Sequence, residues 1–239
     1  MLTSTNLSKS FGKFKALNNI SVCLEAGQAV SLLGPNGSGK TTFLKCILGL
    51  VLPDSGNLTF NGAHIIGTWD YRRYIGYMPQ IRRYPDNMRV GQVFDMVQEV
   101  RRDTFDQLDT DLLQAYEVDK FAHKTMRTLS GGTLQKVSAC LAFLFDPQVL
   151  ILDEPTAGLD PLASEILKEK VLAEKAKGKL VLVTSHILSD LEELTTDVLY
   201  IMEGKIQFYQ PIDQLKARTG EGKLNRALAQ IIQQNATNR

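Results

Sequence analysis

The stretch Gly34-Pro35-Asn36-Gly37-Ser38-Gly39-Lys40-Thr41-Thr42 has the spacing of a phosphate-binding loop: a glycine, four residues, then Gly-Lys-Thr. Glycine at 34, 37 and 39 permits backbone angles that other residues avoid, and lets N–H groups approach phosphate oxygens closely. Lys40 can reach terminal phosphates, and the Thr41 hydroxyl can ligate Mg²⁺. A second stretch, Val149-Leu150-Ile151-Leu152-Asp153-Glu154, is an apolar run that ends in two acids. A buried strand delivers its C-terminal end to the crevice where α/β sheets bind ligands. Asp153 is then placed to hold Mg²⁺ through water, and Glu154 to polarise a water attacking a γ-phosphate. Without the phosphate loop, the two acids read as a solvated strand end. The third stretch is Leu129-Ser130-Gly131-Gly132-Thr133. Ser130 precedes a helix, and the glycines expose N–H groups at its start, a second anion site. Taken alone, a helix cap with flexible glycines is the plainer reading. One nucleotide cannot easily use both anion sites of one chain, so the second suggests recognition in trans.

The elements that must carry these groups alternate. Residues 29–33 read as a buried strand leading into the phosphate loop, which opens a helix carrying Phe43, Leu44, Ile47 and Leu48. Residues 2–7 and 20–24 read as edge strands. Pro53-Asp54-Ser55-Gly56 signals a turn, followed by a strand at 58–60 and an Asn61-Gly62 hairpin turn. A strand at 75–78 stops at Pro79. Apolar residues then recur with helical period at Val90, Val93, Phe94, Val97 and Val100, and again at Leu108, Leu112, Leu113 and Tyr116. No strand signal is evident between 82 and 148, so 82–147 reads as a helical subdomain, with 131–145 its last helix. Strands return at 149–152, 180–184 and 198–202, with helices near 161–176 and 187–194 between them, and a last strand at 205–209. This alternation predicts an α/β class with a mostly parallel sheet covered on both faces, preceded by an N-terminal antiparallel β subdomain. The core spans 1–210. Residues 211–239 form a polar helical extension, with disorder expected from Asn235.

Composition narrows the function. The chain has 239 residues, 27 Lys and Arg against 26 Asp and Glu. Such a balance gives no electrostatic footprint for nucleic acid. Cys23, Cys46 and Cys140 are widely spaced among apolar residues and form neither a metal pattern nor a disulfide framework; buried reduced thiols are expected. The polar N-terminus has no secretory core, and the longest apolar stretch, 137–145, is too short to span a bilayer. Any membrane role must come through a partner. His64 and His123 read as surface residues, Trp69 with Tyr71 and Tyr74 as a packing cluster, and Arg72-Arg73 and Arg101-Arg102 as solvated faces.

With these motifs in this order, residues 2–210 resemble the nucleotide-binding subunit of an ATP-binding cassette (ABC) transporter. The resemblance implies a P-loop NTPase core that binds ATP with Mg²⁺. It implies that Ser130, Gly131 and Gly132 close on the ATP of a second nucleotide-binding subunit, by expectation a second copy of the chain. Phe11 lies where an aromatic stacks on adenine. Gln80, forty residues past Lys40, matches the glutamine that contacts Mg²⁺ and senses the membrane subunit. Asp160 in Ala157-Gly158-Leu159-Asp160 matches the loop crossing the dimer interface, and His186 the switch histidine on the γ-phosphate. Three positions depart: Phe11 replaces the commoner tyrosine, Thr133 the usual glutamine and Lys136 the usual arginine.

The implied function is ATP hydrolysis by a dimer on the cytoplasmic face of a membrane, driving transport through separate transmembrane permease subunits. Ala157-Gly158-Leu159-Asp160 and Ser185-His186-Ile187-Leu188 resemble the ABC-2 export group, and Tyr77-Met78-Pro79-Gln80 with Tyr84-Pro85 the ATPases of nitrous-oxide-reductase maturation, a copper-site system. A soluble ABC ATPase of cofactor or metal-cluster assembly is the alternative; Asp153-Glu154-Pro155-Thr156 is the transporter form. The junction at Arg82, Arg83 and Tyr84 is expected to receive a permease helix.

Overall fold

The computed structural model describes residues 1–103, 105 and 107–237. In chain order it runs β1 (Leu2–Phe11), β2 (Phe14–Leu24), β3 (Ala29–Leu33), α1 (Lys40–Ile47), β4 (Ser55–Phe60), β5 (Ala63–His64) and β6 (Ile75–Met78). Then follow α2 (Val90–Arg101), α3 (Asp111–Ala115), α4 (Gly131–Phe143), β7 (Val149–Asp153) and α5 (Pro161–Ala176). The chain closes with β8 (Leu180–Thr184), α6 (Leu188–Leu194), β9 (Asp197–Met202), β10 (Lys205–Pro211), α7 (Ile212–Thr219) and α8 (Leu224–Thr237). These elements fall into two compact units, Met1–Trp69 with the chain from Leu180 onward, and Asp70–Lys179.

The first unit contains an antiparallel sheet ordered β2-β1-β4-β5, with Leu2 opposite both Leu24 and Phe60. Both β1 and β2 run longer than the sequence suggests. Register shifts interrupt their pairing, and Asn6 and Asn19 sit at φ 50° and 56°, so the period of two that marks a strand is broken. A second sheet places β3 between β8 and β9, parallel to both, with β10 antiparallel on β9. Every residue of β3 and β8 is buried, as expected of parallel strands covered on both faces. α1 buries Phe43, Leu44, Cys46 and Ile47, one face of a helix.

In the second unit β6 and β7 pair in parallel, Ile75 opposite Val149 through Met78 opposite Leu152. Gly76 allows α4 to approach: a Cβ there would meet the Ala142 carbonyl oxygen at 2.0 Å. The period through Leu108 to Tyr116 yields only the short α3. Ahead of it Asp109 is tied down, its N–H donating to the Leu144 carbonyl (2.8 Å) and its carboxylate accepting the Asp111 N–H (3.2 Å). Glu174, on α5, is fully buried and ion-paired with Lys170 (3.1 Å), Lys177 (2.7 Å) and Lys179. Lys170 also pairs with Asp111 (2.7 Å) and Asp109 (2.5 Å).

Four expectations need correction. Cys23 is exposed, because it occupies the outward position between buried Val22 and Leu24 of β2; Cys46 and Cys140 are buried. Trp69 is 71% exposed, so it is no packing residue, whereas Tyr71 is buried. Arg101 does more than face solvent: it lies 4.8 Å over the Phe145 ring and donates to the Arg72 and Arg73 carbonyls. Residues 235–237, expected to be disordered, continue α8; the last two residues of that expected tail lie outside the described residues.

Candidate active site

In the first unit the phosphate loop leaves β3 and enters α1. Gly34 has φ 148°, and a Cβ there would lie 1.9 Å from the Ile201 carbonyl oxygen. Gly39 has φ 109°, and a Cβ there would lie 2.4 Å from the Ala16 carbonyl oxygen. Both positions thus demand glycine twice over, by angle and by space. The loop is pinned by two backbone bonds, Ser38 N–H to the Pro35 carbonyl (3.2 Å) and Gly204 N–H to the Ser38 carbonyl (2.9 Å). Lys40 Nζ donates to the Gly34 carbonyl (2.8 Å) and the Pro35 carbonyl (3.0 Å), which folds the ammonium over the loop. The buried Ser38 hydroxyl finds no protein partner, and a helix N-terminus opens beside it. A cradle of this kind, with an orphaned donor and a cation, suits an anionic phosphate group.

Of the other predicted residues in this unit, Pro35, Asn36, Gly37 and Thr41 are exposed and Thr42 is half-buried. Phe11 ends β1 with half of its surface exposed, 5.6 Å from the Lys9 ammonium and opposite an equally exposed Phe14 that sequence reasoning missed. His186 lies exposed between β8 and α6, in a turn fixed by the Ile187 N–H donating to Ser185 Oγ (2.9 Å).

In the second unit β7 delivers Asp153, buried, at its end. Glu154 follows at φ 54°, the left-handed region, which turns its side chain out of the strand. Its carboxylate accepts a hydrogen bond from the Gln80 amide at 2.8 Å. Its carbonyl accepts one from Gln135 Nε2 (3.0 Å), which also donates to the Pro155 carbonyl (2.6 Å). Gln135 was missed: it lies on α4 five residues past Ser130, and nothing in local sequence ties it to Glu154.

Ser130 caps α4, its Oγ accepting the Thr133 N–H at 3.2 Å. Thr133 also sets its hydroxyl 2.8 Å from Ser130 Oγ, a contact that the usual glutamine would not make in this way. Gly132 is needed for close approach, since a Cβ there would sit 2.7 Å from the Gly158 carbonyl oxygen. Asp160 caps α5 through the Ala163 N–H (2.9 Å) and accepts from Lys136 (2.9 Å). These two bonds, the backbone one foremost, hold the Asp160 carboxyl below the usual carboxylate range. The start of α4, the Glu154–Pro155 backbone and the Asp160 loop are thereby joined by side chains of α4.

The family profile described as ABC transporter matches residues 17–157, more than half the chain. The chain belongs to the ABC transporter family. It is 34% identical over 204 residues to a Nod factor export ATP-binding protein of Burkholderia lata, covering 84% of this chain and 67% of the relative. It is 34% identical over 215 residues to a lantibiotic transport ATP-binding protein of Streptococcus pyogenes, covering 86% and 89%. A solved ATP-binding subunit of an ABC transporter superposes with TM-score 0.87 at 27% identity, covering 97% of this chain and 99% of that one. A dimeric cassette in a post-hydrolysis state with ADP and phosphate shares the fold at TM-score 0.78 and 23% identity. As an ABC ATPase this chain binds and hydrolyses ATP, and the relatives are transporter subunits rather than cofactor-assembly proteins. No helix among the described residues is long and apolar enough to cross a membrane.

Proposed function

We propose that two copies of this ABC subunit close on two ATP molecules at the cytoplasmic face of a membrane and drive export through separate permease subunits. Lys40 and the loop N–H groups bind the β- and γ-phosphates, and Phe11 stacks on adenine. The oxygen donors Thr41, Asp153 and Gln80 suit Mg²⁺, a hard cation, which when bound would neutralise phosphate charge. Glu154 takes the proton of the water that attacks the γ-phosphorus, the β–γ bridging bond breaks, and ADP and phosphate leave. His186 orients the γ-phosphate. Ser130, Gly131 and Gly132 contact the ATP of the partner copy, and Asp160 faces the partner. Residues 1–210 serve as the ATPase domain, with 82–147 as its helical subdomain. Export is supported by the Nod factor export relative, and the cytoplasmic placement by the permease partner that a transporter subunit requires.

The observation that best supports this reading is the hold on Glu154: Gln80 fixes its carboxylate while Gln135 fixes its backbone. A general base must be positioned before its basicity matters. Changing Glu154→Gln keeps the shape and removes the base. ATP binding should persist while turnover falls by roughly 10² to 10⁴. The variant should then accumulate as a dimer with MgATP, read by light scattering. A variant that stays monomeric at saturating MgATP would overturn the trans arrangement.

The permease is proposed to dock by the cleft of about 410 Å³ lined by Arg82, Arg83, Tyr84, Asp86, Arg127 and Leu134. Arg82 and Tyr84 are half-buried there, and burial pushes the Tyr84 hydroxyl upward in pKa. The exposed Arg83 is therefore the better probe.

A further inference from the structure

The chain beyond β10 takes part in none of the motifs, yet it is folded against α6, the helix that follows His186. α7 buries Ile212 and Leu215, and α8 buries Leu224, Ala227, Leu228 and Ile231. α6 buries Leu191 and Leu194 and packs on α8. A single side chain joins all three helices. Glu192, on α6, accepts from the Lys216 ammonium of α7 through one oxygen and from the Leu224 N–H through the other (3.1 Å). Leu224 is the first residue of α8, so the Glu192 carboxylate caps that helix from outside and meets the positive end of its dipole. Lys216 and the Leu224 N–H hold the carboxyl below its usual range, so it is charged at neutral pH.

α6 starts two residues after His186 and is only seven residues long. A helix that short has little stability of its own and takes its position from what it packs against. An open cleft of about 770 Å³ lies along it, lined by His186, Ser189, Glu192, Lys223 and Asn225. There is room for the His186 loop to shift if α6 shifts.

We propose that Glu192 is a positioning residue for ATP hydrolysis: it ties the C-terminal helices to α6 and so sets the place of the His186 imidazole. The inference rests on the reading that His186 acts on the γ-phosphate. Lys216 and the α8 N-terminus hold Glu192 from two sides, α6 carries that hold to Ile187, and Ile187 closes the turn containing His186.

The test is a double-mutant cycle on the full chain, with kcat and KM for MgATP measured for His186→Ala, Glu192→Ala and the pair. Glu192→Ala should lower kcat about tenfold, as a small misplacement of a reacting group does, with KM unchanged. On the His186→Ala background it should cost nothing further. Glu192→Gln keeps an acceptor for the Leu224 N–H and should fall between, and it carries the same cycle if the alanine variant does not fold. An equal fractional loss with and without His186 means that Glu192 is merely structural, and an unchanged kcat in both Glu192 variants equally overturns the proposal. Wild-type turnover in His186→Ala alone would instead remove the underlying reading of the histidine.

Discussion

The phosphate loop and the signature region, both proposed to contact ATP phosphates, differ in construction. The loop around Gly34 to Thr41 is made of backbone: two glycines at φ angles and in spaces that no side chain tolerates, hydrogen bonds between main-chain atoms, and one lysine folded over its own carbonyls. The signature region is made of side chains. Ser130 caps α4, Gln135 reaches the carbonyls of Glu154 and Pro155, and Lys136 reaches Asp160. A backbone cradle is rigid and acts alone. A side-chain lattice joins three loops, so a disturbance at one can reach the others. On the proposed function, the loop serves affinity, and the lattice lets the start of α4, Glu154 and the Asp160 loop respond together.

The sharpest break is Lys40→Ala. It should leave the fold of the loop intact, because the glycine geometry and main-chain bonds remain. It removes a charge-assisted contact, worth about 1.5–3 kcal/mol in binding. Nearly all hydrolysis should disappear as well, since the charge that builds on the γ-phosphate loses its cation. ATP titration and phosphate release measure the two losses; near-wild-type hydrolysis would contradict a role for the loop.

The same contrast explains how much was legible in the sequence. A backbone cradle must be written locally, as glycines at fixed spacing, so Gly34 to Thr42 could be read directly. The apolar runs of β3, β7 and β8 were equally plain, because strands buried on both faces leave no polar residues to confuse the pattern. Contacts across the lattice leave no such trace. Gln135 and Glu154 are nineteen residues apart, and Lys136 and Asp160 twenty-four. β1 and β2 ran past their apparent ends because bulges at Asn6 and Asn19 scrambled the alternation. Gln135→Ala tests whether the lattice matters. It leaves two carbonyls without this donor beside a residue already at φ 54°. Turnover should fall about tenfold with ATP affinity nearly unchanged, since a shift of the Glu154 side chain affects the transition state more than binding. A loss of affinity as large as the loss of turnover would mean that the Gln135 lattice sets affinity as the loop does, and the contrast between the two constructions would fail.

The smallest expected effect on turnover belongs to Glu174 on α5, whose ion pairs are with Lys170, Lys177 and Lys179, outside every motif. Burial alone would raise its carboxyl pKa; hydrogen bonds from Lys177, Lys179 and Lys170 win and lower it to about 2. A group with a depressed folded-state value stabilises the protein fully above its unfolded value. That contribution is lost as the pH falls from about 4.5 toward about 2, because protonation must then break the three ion pairs. After allowance for solvent screening around the lysines, it is on the order of 1–3 kcal/mol. Glu174→Gln keeps the volume and cannot ionise. Its melting temperature should lie below that of the wild type at pH 7, and the gap should close between pH 4.5 and 2. Hydrolysis by the folded variant at pH 7 should be nearly unchanged, because neither Gln135 nor Lys136 bonds to Glu174. A gap that stays constant with pH would show that the three lysines do not hold Glu174 ionised, and a large loss of turnover would extend the lattice into α5.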